Sequence, residues 1–366
     1  MKKAIFILLF LLTGNISEGQ QQKNAALIPS PTVDWRVELV SIAARLADYQ
    51  EYNGNQNKSY TAEIHSYFDK YKEHPLIAYL RKIRHTNSIS YDAVMAMAIH
   101  LSPAPELTPV VAFNQYVPEK RWGKPAALKF TVLLQQFYKD TNAAQFFNDH
   151  TVTYKLAETQ FNTVFKDLNI KWFQKYYGIL PKEQFNIIIG LGNGGANYGP
   201  EVVNANGSAV HYAIMGTWKF DADGKPVFTS ATYLPTLIHE FNHSFVDYLI
   251  TSNENDLAVA GKIIYQSDSA KMQSQAYDDW RVMLSESLVK ASVIRYMISH
   301  HPKPAIISQE IQLQSSKGFT WTKQLVDLLG TYEANRKRYP TLESFMPQII
   351  KFYKTTATNS SKIKTN

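Results

Sequence analysis

One stretch of the sequence reads Thr236-Leu237-Ile238-His239-Glu240-Phe241-Asn242-His243-Ser244-Phe245 and contains the pattern H-E-x-x-H. Apolar residues recur around the pattern at helical spacing: Leu237, Ile238, Phe241, Phe245, Tyr248 and Leu249. Pro235 suits the first turn of such a helix. Because positions four residues apart lie on one face of a helix, both imidazoles can reach the same metal ion. The stretch therefore predicts a helix with a two-histidine metal site.

The residues inside the pattern suit hydrolytic chemistry at a bound zinc ion. Glu240 lies beside both histidines, where a carboxylate can take a proton from water held on the metal. Zinc bound by two histidines and a carboxylate keeps its fourth position open for that water. The intervening Phe241 and Asn242 carry no charge that would repel a cation. The alternative is a helix whose two histidines are surface groups or satisfied core groups.

Length and composition limit the kinds of protein this chain can be. Its 366 residues are 45% hydrophobic, enough for a large core in one large domain or two smaller ones. The absence of cysteine excludes disulfides, cysteine nucleophiles and cysteine-bound zinc, so any metal site must use histidines and carboxylates. The net charge of +7 comes mostly from scattered residues, which argues against binding of nucleic acid.

The N-terminus has the pattern of a signal peptide. A basic start at 1–3 precedes an apolar segment at 4–12 and a polar segment with small residues at 13–19. We expect cleavage near Gly19, and no lipid anchor because no cysteine follows. The apolar segment is too short to span a bilayer, although an uncleaved N-terminal anchor is the alternative. The pattern predicts an exported protein, periplasmic or secreted, without stable membrane insertion after cleavage of residues 1–19.

The remaining chain divides into a helical N-terminal part and a mixed C-terminal part. The predicted segments are a flexible leader at 20–32, a helical region at 33–180, a catalytic region at 181–354 and a disordered tail at 355–366. Runs at 185–189 and 209–219 have the composition of strands, and they precede the His239 helix. The sequence thus predicts a helix-rich α+β fold with a small mixed sheet packed on the H-E-x-x-H helix.

A third protein ligand is needed, and a histidine is a poor candidate. The longer pattern H-E-x-x-H-x-x-G-x-x-H fails because Val246 and Leu249 occupy its last two defined positions. The next histidines, His300 and His301, come just before Pro302 and are typical of cationic groups at the end of a helix.

A carboxylate is therefore the expected third ligand. The candidates after the motif are Glu254, Asp256, Asp268, Asp278, Asp279 and Glu286. Glu286 is favoured because Val282, Met283 and Val289 surround it on a predicted helix, where a carboxylate is costly unless it is paired or bound to metal. The alternative for Glu286 is a salt bridge to Lys290, four residues later.

Other residues are candidates for supporting roles. Asp247 lies one turn after His243, where it can accept the second N–H of a ligating imidazole or remain an ordinary exposed residue. A donor for the tetrahedral oxyanion is also needed, and the sequence does not choose among its candidates. These are Tyr198, His211, Tyr265 and Tyr277.

The glycine-rich segment at 190–195 fits the pattern G-x-G-x-x-G after a predicted strand. A dinucleotide site needs a helix next, but Ala196-Asn197-Tyr198-Gly199-Pro200 follows, and no acidic residue stands about twenty positions later. We therefore expect a glycine loop beside an edge strand, with Asn197 and Tyr198 along a substrate groove. A simple turn is the alternative.

The chain resembles the DUF4932 family of secreted bacterial proteins, which is placed among the zincin-type peptidases. The stretch at 236–245 matches the extended zincin consensus, and a glutamate on a following helix is the gluzincin arrangement of thermolysin-like enzymes. The matching stretches are Arg36–Leu39, Ile89–Met95, Asn197–Pro200, the His239 helix and Glu286–Ala291. The resemblance implies a zincin-like fold and a zinc ion. It departs at Lys290, where thermolysin-like enzymes carry an acid.

These observations together predict an exported zinc-dependent hydrolase. Among hydrolases, they favour a peptidase. His239, His243 and Glu286 would hold Zn²⁺, and Glu240 would act as general base on a peptide or protein substrate. One alternative is a non-catalytic protein that uses a zincin fold to bind a partner or a glycan. Another is a zinc enzyme that hydrolyses a small amide. The substrate, the oligomeric state and the role of the N-terminal helices are not readable from the sequence.

Overall fold

The computed structural model describes residues 28–54, 58–179, 184–275, 277–300 and 304–363. The predicted signal peptide and most of the predicted leader lie outside this part of the chain. Thr32, at the end of that leader, pairs in parallel with Ile188 of the sheet, so this end of the leader belongs to the fold. None of the described helices is both long and apolar enough to cross a membrane.

The N-terminal part is built from helices, as predicted. They are α1 (Trp35–Leu46), α2 (Lys58–Phe68), α3 (Pro75–Thr86), α4 (Asp92–Ile99), α5 (Gly123–Asp140), α6 (Ala143–Asp149), α7 (Thr151–Lys166) and α8 (Ile170–Tyr177). The Asp34 side chain caps α1 by accepting a hydrogen bond from the Arg36 backbone N–H. Helix α1 is buried from Val37 to Leu46 and contacts α2, α3 and α4, which makes it the central helix of this region.

A small mixed sheet follows, which confirms the predicted α+β class. Its strands are β1 (Gln184–Gly190), β2 (Glu201–Val203) and β3 (Ala209–Gly216), in the spatial order β1-β3-β2. Strand β3 runs parallel to β1 and antiparallel to β2. A further antiparallel bridge joins Phe220 and Pro226, on either side of the turn at 221–225.

The C-terminal part is helical. Its helices are α9 (Ser230–Ser252), α10 (Glu254–Ser267), α11 (Ser269–Gln273), α12 (Trp280–His300), α13 (Pro304–Ser316), α14 (Thr322–Ala334) and α15 (Leu342–Ile363). Helix α15 packs on α10, and Ala357 on it is buried. The segment predicted as a disordered tail, 355–366, is therefore helical as far as Ile363.

Helix α9 carries His239 and His243, and it begins earlier than predicted. Pro235 lies inside the helix and not in its first turn. The reason is tertiary packing: the buried Tyr233 ring packs at a tilt against the Trp218 ring, and its hydroxyl accepts a hydrogen bond from the Trp218 backbone N–H, which holds an extra N-terminal turn in place.

Helix α9 lies between the sheet and α12. On one side the ring of Phe241 meets Phe185 of β1 edge to face, with 4.8 Å between ring centroids. The same ring meets Phe173 of α8 at 4.7 Å. On its other side α9 contacts α12, which carries Glu286. This packing brings residues from two helices together beside the sheet.

Candidate metal centre

Three side chains converge between α9 and α12. The His239 Nε2 and His243 Nε2 atoms are 3.2 Å apart. Glu286 Oε2 lies 3.5 Å from His239 Nε2, and Glu286 Oε1 lies 3.4 Å from His243 Nε2. The helical spacing of the histidines aligns them on one face of α9, and the packing of α12 supplies the carboxylate. The predicted three-residue set is therefore brought together.

These distances fit a single small metal ion. Tetrahedral zinc binds nitrogen and oxygen at about 2.0–2.1 Å, which separates its ligand atoms by about 3.3–3.4 Å. The three observed separations lie on both sides of that value. Within the described residues, no other cluster of at least three histidines, aspartates or glutamates brings its ligand atoms this close together. The donor set thus has the geometry for one ion.

Glu286 is held by two further groups. Its Oε2 accepts a hydrogen bond from the Tyr277 hydroxyl at 3.0 Å and from the Lys290 ammonium. Burial alone would raise the pKa of the Glu286 carboxyl, but His239, His243 and Lys290 outweigh it and hold the pKa well below its ordinary value. The carboxylate is consequently ionised. The salt bridge to Lys290 and the contact with the histidines, which the sequence offered as alternatives, coexist.

Asp247 contacts the ring nitrogen of His243 that faces away from the other two side chains. Its Oδ1 lies 3.0 Å from His243 Nδ1, and the Ser285 hydroxyl donates to the same oxygen. Burial lowers the pKa of His243, but the carboxylates of Asp247 and Glu286 outweigh it and raise the pKa well above its ordinary value. A hydrogen bond from Nδ1–H to a carboxylate leaves Nε2 facing the centre. Asp247 is exposed, as one reading of the sequence expected, and it also contacts His243, as the other did.

Glu240 borders the edge of the sheet. Its side chain is partly exposed, and a Cβ atom built on Gly199 would lie 3.1 Å from its Oε2. Among the described residues, Glu240 forms no hydrogen bond or ion pair that would occupy its carboxylate. A glycine at 199 leaves open the space beside this carboxylate.

The edge strand next to Glu240 is longer than β2 alone. Tyr198 exchanges both backbone hydrogen bonds with Ile214, and Tyr212 N–H donates to the Pro200 carbonyl, in the same register as β2. In an antiparallel pair the intervening residues direct their backbone groups away from the partner strand. The backbone groups of Gly199, Glu201 and Val203 therefore point outward along the open edge.

The same alternation corrects the prediction for Tyr198. Its side chain is buried and stacks on Tyr52, with 6.0 Å between ring centroids, so it does not line a groove. Adjacent residues of a strand point to opposite faces, and it is Gly199 that faces Glu240. Asn197 is partly exposed, and its Oδ1 accepts a hydrogen bond from Gly216 N–H at 3.0 Å.

The remaining candidates for an oxyanion donor differ in what they contact. Only Tyr277 touches the three-residue set within the described part of the chain, through Glu286. Tyr265 donates its hydroxyl hydrogen bond to the Tyr277 carbonyl. His211 lies on β3 with its Nε2 3.7 Å from an oxygen of Glu201 on the edge strand.

The other candidate ligands lie elsewhere. Glu254 and Asp279 pair with Arg281, Asp268 pairs with Lys271, and Asp256 lies 3.8 Å from Lys354, while Asp278 is exposed. His300 bonds the Tyr296 carbonyl one turn earlier and the Asn169 side chain, as a helix-terminal group does. His301 lies outside the described residues.

Two contributions could not be found from the sequence pattern. Ser285 was not singled out because nothing in its spacing indicates that it reaches Asp247 on another helix. Two backbone amides of the glycine loop, Leu191 and Gly192 N–H, are not open to a phosphate, because they already bind the Glu38 carboxylate.

Comparison with known families gives one match. The model of the domain of unknown function DUF4932 matches residues 31–352, and the chain belongs to that family. No curated protein and no solved structure gives a significant match.

Proposed function

We propose that this protein is an exported zinc-dependent peptidase with a zincin-like, gluzincin-type site. The observation that carries the proposal is the convergence of His239, His243 and Glu286 at 3.2–3.5 Å, with Glu240 in the same H-E-x-x-H turn. Two imidazoles and one carboxylate are a common donor set of catalytic zinc sites. The lack of cysteine is compatible with this choice of ligands.

Zinc, when bound, lowers the pKa of the water it holds and polarises a scissile carbonyl. The protein supplies the proton transfers. Glu240 takes the proton from the attacking water and passes it to the leaving amine, which requires an ionised carboxylate not already engaged. Asp247 keeps His243 in the tautomer that presents Nε2. Tyr277 positions Glu286 by a hydrogen bond to the oxygen that the Lys290 ammonium also contacts.

A peptide is the substrate that the surroundings favour. The edge at 199–203 offers outward backbone groups from Gly199, Glu201 and Val203 beside Glu240. An extended peptide can add to such an edge as another strand, because its main chain supplies the complementary hydrogen bonds. A peptide bound in this way would have a peptide bond beside Glu240. A small amide has no long main chain to pair with the edge strand.

The test uses protein produced without residues 1–19, as wild type and as Glu240→Gln. We expect both to bind one zinc per chain, because Glu240 is not a ligand in this proposal. Cleavage of a peptide pool, followed by mass spectrometry, should fall about 1,000-fold or more in the variant. Glu254→Gln is the matched control, since that glutamate pairs with Arg281 at the surface, and it should retain full activity. Full activity in Glu240→Gln would overturn the mechanism, and zinc binding without cleavage in wild type would favour a binding protein.

A further inference from the structure

A second buried carboxylate lies away from the metal centre. Glu38 of α1 is fully buried. It accepts hydrogen bonds from Leu191 N–H at 2.8 Å, Gly192 N–H at 3.1 Å and the Tyr60 hydroxyl at 2.8 Å. Successive backbone N–H groups that point at one carboxylate form an anion-binding nest. The glycine loop is therefore such a nest, and the chain's own carboxylate fills it.

A cation from the same helix binds the other side of the loop. Arg45 comes seven residues after Glu38, on the same face of α1, and is also buried. Its guanidinium donates to the carbonyl oxygens of Gly192, at 3.4 Å, and Gly54, at 3.1 Å. Both backbone polar groups of Gly192 are thus bound by charged side chains of one helix.

The glycine loop packs closely against α1 and against the segment that follows α1. A Cβ atom on Gly192 would lie 2.9 Å from Glu38 Oε2. One on Gly194, whose φ is +82°, would overlap the Glu51 carbonyl oxygen. Glycine at these two positions allows backbone to approach backbone where a larger residue would push the loop away.

The loop leads directly to the proposed catalytic base. The Asn193 side chain bonds Gly195 N–H and the Ala196 carbonyl, which closes the turn. The chain then enters the edge strand at Tyr198, and Gly199 follows beside Glu240. The loop is therefore fixed at its start by α1 and at its end by β3.

We propose that Glu38 and Arg45 form a loop clamp, in which the Glu38 carboxylate acts as an internal anion that positions the glycine loop and, through it, Gly199 against Glu240. Glu38 is a positioning residue here, because it touches neither the metal ligands nor the substrate edge. Its link to catalysis rests on the proposed function. The effect of Glu38 on the position of the loop does not depend on the proposed function.

The cost of burying this carboxylate supports a specific role. Burial raises the pKa of Glu38 to about 7, against the opposing effects of Tyr60, the loop amides and Arg45. The hydroxyl of Tyr154 lies behind that of Tyr60, at 2.8 Å, and completes the groups that face this acid. An apolar residue would fill the same space without that cost, but it would leave the loop amides and Arg45 without their anion.

The test removes the carboxylate and returns it as a free anion. Glu38→Ala deletes the atoms that acetate supplies, and Leu39→Ala is the matched control because Leu39 is equally buried on α1. At about pH 8, where a carboxyl with a pKa of about 7 is mostly ionised, we expect Glu38→Ala to lower Tm by roughly 5 °C and to speed hydrogen exchange at 191–199 more than elsewhere. Acetate at about 100 mM should reverse much of both effects, while sodium chloride of equal ionic strength should not. Leu39→Ala should lose stability and gain nothing from acetate.

The contrary outcomes are equally defined. Unchanged exchange at 191–199 in Glu38→Ala, or acetate that stabilises both variants alike, would overturn the clamp. If Glu38→Ala does not fold alone, refolding with and without acetate gives the same comparison. Glu38→Gln provides a second variant, which should fold and still exchange faster at Leu191 and Gly192. Exchange equal to wild type in that variant would also overturn the role of the charge.

Activity and zinc affinity separate this inference from the proposed function. Zinc affinity should not change in Glu38→Ala, because the ligands lie on α9 and α12. The value of kcat/KM on a peptide should fall about 10-fold and recover with acetate. A wild-type protein that cleaves no peptide would defeat the proposed function, yet the exchange and acetate results would still decide whether the clamp exists. Normal kcat/KM beside a loosened loop would overturn the link to Glu240.

Discussion

Two buried glutamates of this chain have similar neighbours and opposite electrostatics. Glu286 has a tyrosine hydroxyl, Tyr277, and a cation from its own helix, Lys290. Glu38 has the hydroxyl of Tyr60 and Arg45 of its own helix. Yet the pKa of Glu286 is held well below its ordinary value, whereas that of Glu38 is raised to about 7.

The difference lies in what the remaining oxygen atoms face. Around Glu38, backbone amides of the loop take the lone pairs and the site is sealed. Around Glu286, two histidine nitrogens face the carboxylate at 3.4–3.5 Å and remain partly exposed. A buried carboxylate with a tyrosine and a cation is therefore not by itself a sign of catalysis. The carboxylate of the proposed functional site differs in that its lone pairs face other atoms able to bind a metal.

The strongest test of this comparison removes each of the two glutamates in turn. Glu286→Ala should weaken zinc binding by about 100-fold or more, because it removes one of the three proposed ligands. Glu38→Ala should leave zinc affinity unchanged and lower the free energy of unfolding by roughly 3–5 kcal/mol, because it removes the buried anion that Arg45 and the loop amides face. Zinc competition with a chelator and denaturant unfolding of both variants measure the two effects. Zinc retained at full affinity in Glu286→Ala would move the third ligand to another residue.

The pH dependence of stability should also come from Glu38. Its pKa rises from an ordinary value of 4.5 to about 7 on folding. An acid with a raised folded pKa contributes stability that is fully present below pH 4.5 and is lost as the pH rises through 7. In wild type, Glu38 should therefore lower the free energy of unfolding by roughly 2–3 kcal/mol between those pH values, and Glu38→Gln should remove this decline. Urea unfolding of zinc-free wild type and variant across this range measures it, and parallel curves would assign the decline to other groups.

A smaller effect is expected at the carboxylate behind His243. Asp247→Asn removes the charge that orients the imidazole, and zinc affinity should fall about 10- to 100-fold. Ser285→Ala removes only the hydroxyl that donates to Asp247, so its effect should be weaker. Chelator competition ranks the two variants. Equal affinities in wild type and Asp247→Asn would show that α9 alone orients His243.

The sequence predicted more of the metal centre than of the loop clamp, for a physical reason. His239 and His243 are related by the period of one helix, and a single acid among apolar neighbours stands out at Glu286. Glu38 also lies among apolar residues, but its partners are backbone amides 153 and 154 positions away, which no side-chain pattern records. Strands β1 and β3 were predicted because their composition is distinctive, whereas the three-residue β2 was not. The early start of α9 was not, because it depends on the contact of Tyr233 with Trp218.

Lys290 offers the finest test, because it places a buried cation beside a proposed metal ligand. Its ammonium binds the same carboxylate that faces the two histidines, and it is almost fully buried. A buried positive charge so close to a ligand repels an incoming cation and competes for the carboxylate. Lys290→Met keeps the length of the side chain without its charge and should raise zinc affinity about 3- to 10-fold. Lys290→Arg, which keeps the charge, is the control and should not raise it. A loss of affinity in Lys290→Met would instead mean that Lys290 is needed to hold Glu286 in place, and the two buried glutamates would then depend on their cations in the same way.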